Sequence, residues 1–320
     1  MKVDSLFEYR NCPGCGQDDF EVLFKSDMKP DDFNVLFDYN MEEHESQEDV
    51  ECYLVPKKEW GRHVKCKNCR LIYISPVEKV SKTNEYYFKA KNSRAPTIRE
   101  CYLRTAESQV RLIQKYASGT NLLDIGCAQG YFLFSASKAG YATKGIEIAQ
   151  DAVAYAREEF GLDVEAKPFE KLRFPEAHFD VVTLWQFLEH VPYPLMVLKE
   201  VHRILKPGGL LVVSTPNIEG IPSKILRKRW WDIKRLHINQ FTTKTLMEIL
   251  QNAGFKNISS VSYRGFISLS ILLTMILRYI DAYEQLKALF NPDHILGKIL
   301  NKIMLIYSSR LNHCVVLGFK

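Results

Sequence analysis

Apolar positions along this chain fall into two kinds of block. Short apolar runs end in glycine or acidic residues. Longer stretches between them repeat apolar residues every three or four positions. The short runs predict strands and the longer stretches predict helices. Leu122–Ile125 predicts a strand that runs into the turn Asp124-Ile125-Gly126-Cys127-Ala128-Gln129-Gly130, and Tyr131–Ala139 predicts the next helix. Thr143–Ile148 and Gln150–Phe160 repeat strand and helix, and Asp163–Ala166 is a short strand. Phe179–Leu184, the helix Leu195–Leu205 and the strand Leu210–Ser214 follow, the last introduced by Lys206-Pro207-Gly208-Gly209. Thr242–Ala253 predicts a helix with Thr242 or Thr243 as N-cap. Ile258–Tyr263 and Val315–Phe319 predict two further strands. Such alternation builds a parallel sheet covered by helices on both faces.

Two regions break the alternation. Phe266–Phe290 and Ile295–Tyr307 read as two apolar helices with a break at Pro292-Asp293, an insertion spanning 264–312. Residues 1–80 have few helical patterns, and Asp27–Glu51 is rich in Asp, Glu and Asn, as in a long solvated insertion. Between these zones 81–118 predicts a helical connector, with Tyr102, Leu103, Ala106, Val110, Leu112 and Ile113 near helical spacing. The chain thus divides into 1–80, 81–118 and 119–320.

Composition narrows the class. The 320 residues are enough for a sizeable core, and 46% hydrophobic with 25% charged is ordinary for a globular protein. A net charge of +5 is mild, and with the acidic insertion it opposes a broad phosphate footprint, so nucleic acid is not the expected partner. Met1–Arg10 lacks the apolar centre of a leader. The longest apolar run, Phe266–Leu277, is shorter than the roughly 20 residues a bilayer needs. The expected compartment is cytoplasmic. Four of the eight cysteines form the pairs Cys12-Pro13-Gly14-Cys15 and Cys66-Lys67-Asn68-Cys69. Two residues between cysteines let both thiolates reach one ion, and two pairs complete a tetrahedral four-sulfur site. Structural zinc is therefore expected at Cys12, Cys15, Cys66 and Cys69, closed and without chemistry of its own.

The turn after the first strand is the candidate ligand site, because open α/β sheets bind at the carboxyl ends of their strands. Gly126 and Gly130 let the backbone approach a ligand. Glu147 ends the second strand, where an acid accepts from ribose hydroxyls. Pro168-Phe169 follows the third strand, where an amide and an apolar side chain can flank a base. A nicotinamide dinucleotide turn prefers G-x-G-x-x-G, which is absent here. The segments DIGCAQG (Asp124–Gly130), GIEI (Gly145–Ile148), FDVVTLWQFLEHV (Phe179–Val191) and LKPGGLLVVSTPN (Leu205–Asn217) resemble class I S-adenosylmethionine-dependent methyltransferases. The resemblance implies an α/β, Rossmann-like seven-stranded methyltransferase sheet whose last strand, similar to 314–319, is antiparallel. The cysteine pairs add a small amino-terminal zinc-ribbon-like domain, and the apolar stretch 264–312 adds a helical insertion before that strand, where relatives often have a direct hairpin. The resemblance places Asp124, Gly126, Cys127 and Gly130 along the methionine part of S-adenosylmethionine, Glu147 on the ribose and Ile148 against the adenine. The Phe169 amide meets the ring, and Trp185 and Gln186 lie near the sulfonium and acceptor. Ala128 stands where many relatives have Gly, and Pro168 where many have Asp, which removes one adenine contact.

The cysteine pairs, followed by Leu71-Ile72-Tyr73 and Tyr86-Tyr87, resemble the amino-terminal domain of some small-molecule and sugar C-methyltransferases. That resemblance puts Tyr86 over the cofactor and makes Tyr87 an acid or base candidate; plain packing of the connector is the alternative. His237, in Leu236–Phe241, is a candidate base, or else a loop histidine that orders its segment. Gln186 is a third candidate beside the reacting atoms. It replaces the first acid of the E-x-x-E-H segment that binds a divalent ion in proteins similar to quinone-biosynthesis O-methyltransferases, so Glu189-His190 read as pocket wall. Lys224, Arg227, Lys228, Arg229, Lys234 and Arg235 are interleaved with Trp230 and Trp231. Trp230, Trp231, Arg229 and Arg235 are the candidates for an anionic acceptor; a solvated loop is the alternative. The apolar insertion can cover a lipophilic acceptor, form a homodimer face, lie on a membrane surface, or add core packing. The expected function is S-adenosylmethionine-dependent methyl transfer to a small or lipid-linked metabolite, at oxygen or carbon. RNA methylation and a catalytically silent cofactor-binding module are the alternatives.

Overall fold

The computed structural model describes residues 7–25, 62–80, 85, 87–88, 96–227, 230–233, 236–279, 285–286 and 294–320. The amino-terminal unit holds β1 (Phe7–Glu8), β2 (Phe20–Lys25), β3 (Arg62–Cys66), β4 (Ile72–Ile74) and β5 (Val77–Glu78). Helix α1 (Pro96–Ile113) follows. Next come β6 (Asn121–Ile125), α2 (Tyr131–Lys138), β7 (Ala142–Ile146), α3 (Gln150–Phe160), β8 (Val164–Glu165) and β9 (Phe179–Trp185). The chain continues through α4 (Pro194–Ile204), β10 (Leu205–Pro216), α5 (Ile221–Leu226), β11 (Asn239–Gln240), α6 (Thr243–Asn252) and β12 (Lys256–Ser260). It ends with β13 (Arg264–Ser268), α7 (Leu269–Tyr279), α8 (Ile295–Lys302), β14 (Met304–Ser308) and β15 (His313–Phe319).

Seven strands form one sheet in the order β12-β15-β10-β9-β6-β7-β8. The pairs from β10 to β8 are parallel, and β15 runs antiparallel to both β10 and β12. The near-continuous apolar runs of β6, β9 and β10 fit a sheet buried on both faces. Leu123, Ile125, Val182, Leu184, Leu211 and Val213 enter one core, and Leu122, Val181, Leu210 and Val212 enter the other. Period-two alternation along each strand thus sorts side chains between the two helical layers. Thr242 caps α6, its hydroxyl accepting from the Thr245 amide.

The insertion departs from the expected pair of helices. Among the described residues the insertion holds α7, α8 and a helical pair at 285–286, and its flanks are the antiparallel hairpin β13–β14, with Phe266 opposite Ile306 and Gly265 opposite Tyr307. A Cβ on Gly265 would lie 2.2 Å from Tyr307 Cζ, so the Tyr307 ring occupies the space that glycine leaves. The β13 edge is satisfied by α1: the Arg264 amide donates to Ser108 Oγ at 2.9 Å and the Phe266 amide to Thr105 Oγ1 at 3.0 Å. A short apolar run does not distinguish strand from helix; the hairpin partner decided here. The break at Pro292-Asp293 and the acidic stretch Asp27–Glu51 lie outside the described residues.

The amino-terminal unit is continuous with the rest. Its four-stranded sheet has the order β11-β4-β3-β2, so its last strand comes from the far side of the chain. Asn239 pairs with Tyr73 and Gln240 with Ile72. Cys12, Val64, Cys66, Leu71 and Tyr73 share one apolar core with Phe241, Leu246 and Ile249. Among the described residues no helix is long and apolar enough to cross a membrane.

Candidate functional site

Strand β6 ends in Asp124 and passes into a tight turn. Gly126, Ala128 and Gly130 all have positive φ, at 77°, 46° and 78°. Added Cβ atoms would meet Phe187 Cδ2 at 2.6 Å from Gly126 and Leu162 Cδ1 at 2.6 Å from Gly130. Both positions therefore require glycine for space as well as for dihedral. The Ala128 amide donates to Glu147 Oε2 at 2.9 Å, while Glu147 Oε1 accepts from the amides of Ile148 at 2.6 Å and Ala149 at 2.8 Å. One carboxylate thus stitches the turn after β6 to the turn after β7. Burial raises the Glu147 pKa, and the three amides oppose that rise.

Asp124 sits behind this turn rather than on it. It is buried, and its Oδ1 accepts the Thr183 hydroxyl proton at 2.7 Å. Burial pushes its pKa up to about 7. Cys127 is also turned inward: a Cβ on Gly145 would lie 2.7 Å from its Sγ. Ile148 is half-buried beside Glu147. The Phe169 side chain belongs to the core, which leaves its amide for a ligand.

At the end of β9, the Trp185 ring packs edge-on to Phe132 at 5.3 Å and to Tyr263 at 5.6 Å. Its Nε1 is buried with no hydrogen-bond partner among the described residues. Gln186 then adopts a φ of 55°, an unusual conformation for a residue with a side chain. Its amide donates to Ser214 O at 2.7 Å and its Nε2 to Ser214 Oγ at 3.0 Å.

A second group lies along the same segment. His190 Nδ1 is 2.7 Å from the Tyr87 hydroxyl and 2.9 Å from Leu236 O. The His190 and His237 rings meet edge to face at 4.7 Å. His237 is buried, and its Nδ1–H donates to Asp232 O at 3.0 Å. A carbonyl can only accept, so Nδ1 carries a proton. Glu189 is buried next to His190, its Oε1 3.9 Å from His190 Nε2.

The basic cluster is only partly assembled as expected. Trp230 is fully buried, and its Nε1 donates to Asn312 Oδ1 at 3.2 Å. It is a packing residue, contrary to the reading of an exposed recognition tryptophan. Its indole fills the space between the loop and the segment before β15, which local composition does not reveal. Trp231 is half-buried, and Lys224 and Arg227 are exposed. Arg229, Arg235, Lys228, Lys234 and Tyr86 lie outside the described residues.

The four cysteine sulfurs lie within 4.8 Å of one another. Cys12 and Cys69 are 3.4 Å apart, and Cys15 and Cys66 are 3.6 Å apart. A tetrahedral ion with metal–sulfur bonds of about 2.3 Å has sulfurs about 3.8 Å apart, so the donor set fits zinc. Two tight turns shape it, with the Gly16 amide donating to Cys12 O at 2.7 Å and the Arg70 amide to Cys66 O at 3.1 Å. Thr183, Arg10 and Asn239 are the polar residues that sequence reasoning missed. A single threonine within the apolar run of β9 was the one local signal; Arg10 and Asn239 have none.

The family described as methyltransferase domain matches residues 98–260, half of the chain. Over 157 residues the chain is 27% identical to a probable S-adenosylmethionine-dependent methyltransferase of Mycolicibacterium smegmatis, covering 48% of this chain and 59% of that protein. Over 106 residues it is 36% identical to a ubiquinone biosynthesis O-methyltransferase of Pseudomonas aeruginosa, covering 31% of this chain and 46% of that protein. The chain spans about half the length of these curated relatives. A solved structure of a SAM-dependent methyltransferase from Archaeoglobus fulgidus aligns over 68% of this chain and 94% of its own, at a TM-score of 0.48 and 21% identity.

Proposed function

The chain belongs to the methyltransferase-domain family, and from that premise we propose that it transfers a methyl group from S-adenosylmethionine to oxygen or carbon of a small or lipid-linked acceptor. One observation carries the reading. The segment Trp185–His190 runs from the glycine turn, where Phe187 abuts Gly126, to the Tyr87, His190 and His237 group. A donor site and a proton-handling group therefore border one loop at the carboxyl edge of the sheet.

S-adenosylmethionine supplies a methyl group already activated by its sulfonium. The protein's share is positioning and proton removal. Glu147 would hold the ribose hydroxyls, the Gly126–Gly130 backbone would support the methionine part, and the Phe169 amide and Ile148 would face the base. His237 Nε2 takes the proton from the acceptor hydroxyl or carbon acid as the new bond to the methyl carbon forms and the carbon–sulfur bond breaks. Tyr87 and Gln186 orient the acceptor. The four cysteines hold structural zinc; they leave no open coordination position for chemistry.

Two surface features support the acceptor class. Lys224 and Arg227 are exposed and suit an anionic group. Ile295, Ile299, Ile303 and Ile306 are exposed beside Lys298 and Lys302. Apolar side chains flanked by lysines suit an acceptor presented at a lipid surface.

The test is transfer of labelled methyl from S-adenosylmethionine to a lipid and small-metabolite extract, with total RNA as the competing substrate. Label in the metabolite or lipid fraction, lost in His237→Ala at saturating cofactor, is the expected result. Label in RNA alone would overturn the acceptor class, and cofactor binding without transfer to either pool would overturn the enzymatic reading.

A further inference from the structure

The loop bearing Glu189-His190 and the segment bearing His237, which leads into β11, are joined by two buried polar side chains. Arg10, two residues before the first cysteine knuckle, is buried. One of its terminal nitrogens donates to Pro192 O. The other donates to Ile238 O at 3.1 Å and to Asn239 Oδ1 at 3.1 Å. Asn239 completes the arrangement: its Nδ2 donates to Leu188 O at 3.1 Å and Val191 O at 2.7 Å, and its amide to Glu189 O at 3.1 Å. Four carbonyls around His190, those of Leu188, Glu189, Val191 and Pro192, thus accept from Arg10 or Asn239. From the other side the Ile74 amide donates to Ile238 O at 2.9 Å, and the Arg10 guanidinium lies over the Tyr73 ring at 5.5 Å.

A buried guanidinium met by neutral oxygens is an expensive way to fill space, and an apolar side chain would pack with less desolvation. What arginine adds is a rigid fork whose donors reach two loops at once. We propose that Arg10 and Asn239 are positioning residues, through which the four-cysteine sheet holds the His190 loop against the His237 segment and sets the Tyr87–His190–His237 alignment. They touch neither cofactor nor acceptor and act through the two histidines. The inference rests on the acceptor-side reading of those histidines, so turnover serves only to separate the two.

The experiment uses the full zinc-loaded chain carrying Arg10→Met or Arg10→Lys. Lysine keeps the charge but cannot span the three oxygens, and it keeps the test open if the methionine variant does not fold. The readouts are the imidazole nuclear magnetic resonances of His190 and His237, amide hydrogen exchange over 187–192 and 236–241, and S-adenosylmethionine affinity by calorimetry. Displaced resonances of both imidazoles, exchange faster by about tenfold in both segments, and cofactor affinity within about twofold of wild type are expected. Unchanged imidazole resonances in Arg10→Lys would overturn the proposal. So would a matching loss of cofactor affinity and faster exchange throughout the sheet, which would make Arg10 a general stability residue. If the resonances move as expected but His237→Ala transfers methyl at the wild-type rate, the clamp stands and the base assignment falls.

Discussion

Asp124 and Glu147 are two carboxylates near one turn, and their surroundings give them different work. Asp124 is buried with the Thr183 hydroxyl as its partner, and its pKa rises from 3.8 to about 7. The folded chain therefore keeps a proton on Asp124 that the unfolded chain releases. Stability from this group is highest below its unfolded value and declines as pH rises from about 4 to about 7. Asp124→Asn cannot lose that proton. Urea unfolding of cofactor-free protein at pH 5 and pH 8 is expected to show the variant gaining on wild type at the higher pH; equal shifts at both would refute it. Glu147 instead offers its oxygens at the mouth of the turn. Glu147→Ala removes charge-assisted hydrogen bonds worth about 3 kcal/mol together, so S-adenosylmethionine affinity by calorimetry should fall about 100-fold. At this scale the glycine turn and Glu147 were legible, because each is local. Trp230 was not, since its burial depends on Asn312, far along the chain.

Among elements, the β13–β14 hairpin shows what limits such reading. Its strands are apolar enough to pass for helix, and their pairing is set by Gly265 facing Tyr307 and by Thr105 and Ser108 on α1. None of these partners is a neighbour in sequence. The parallel strands β6, β9 and β10 were readable because each carries a buried apolar run. Gly265→Val forces a side chain into the Tyr307 ring and should cost about 2 kcal/mol, seen as a lower melting temperature. A melt unchanged from wild type would mean that the ring has room to move aside.

Across the whole molecule, the four-cysteine unit and the seven-stranded sheet share a core through Phe241, Leu246 and Ile249. Metal analysis of purified protein is expected to give about one zinc per chain, from one four-thiolate site. Because ion binding is coupled to folding, stripping the metal with a chelator should lower the melting temperature of the whole chain in one transition. A separate early transition, with the rest unmoved, would show that the two parts melt independently. The cysteine spacing revealed that unit; its dependence on β11 was invisible, because strand pairing over such a distance leaves no local pattern. The pairing of Tyr73 with Asn239 also has a consequence for synthesis. The ribosome delivers β2, β3 and β4 first, and the strand that completes their sheet only about half a chain later. Throughout that interval the nascent sheet has an open edge, the kind that recruits foreign strands. Chains interrupted before Gln240 should therefore aggregate even though all four clustered cysteines have already been made.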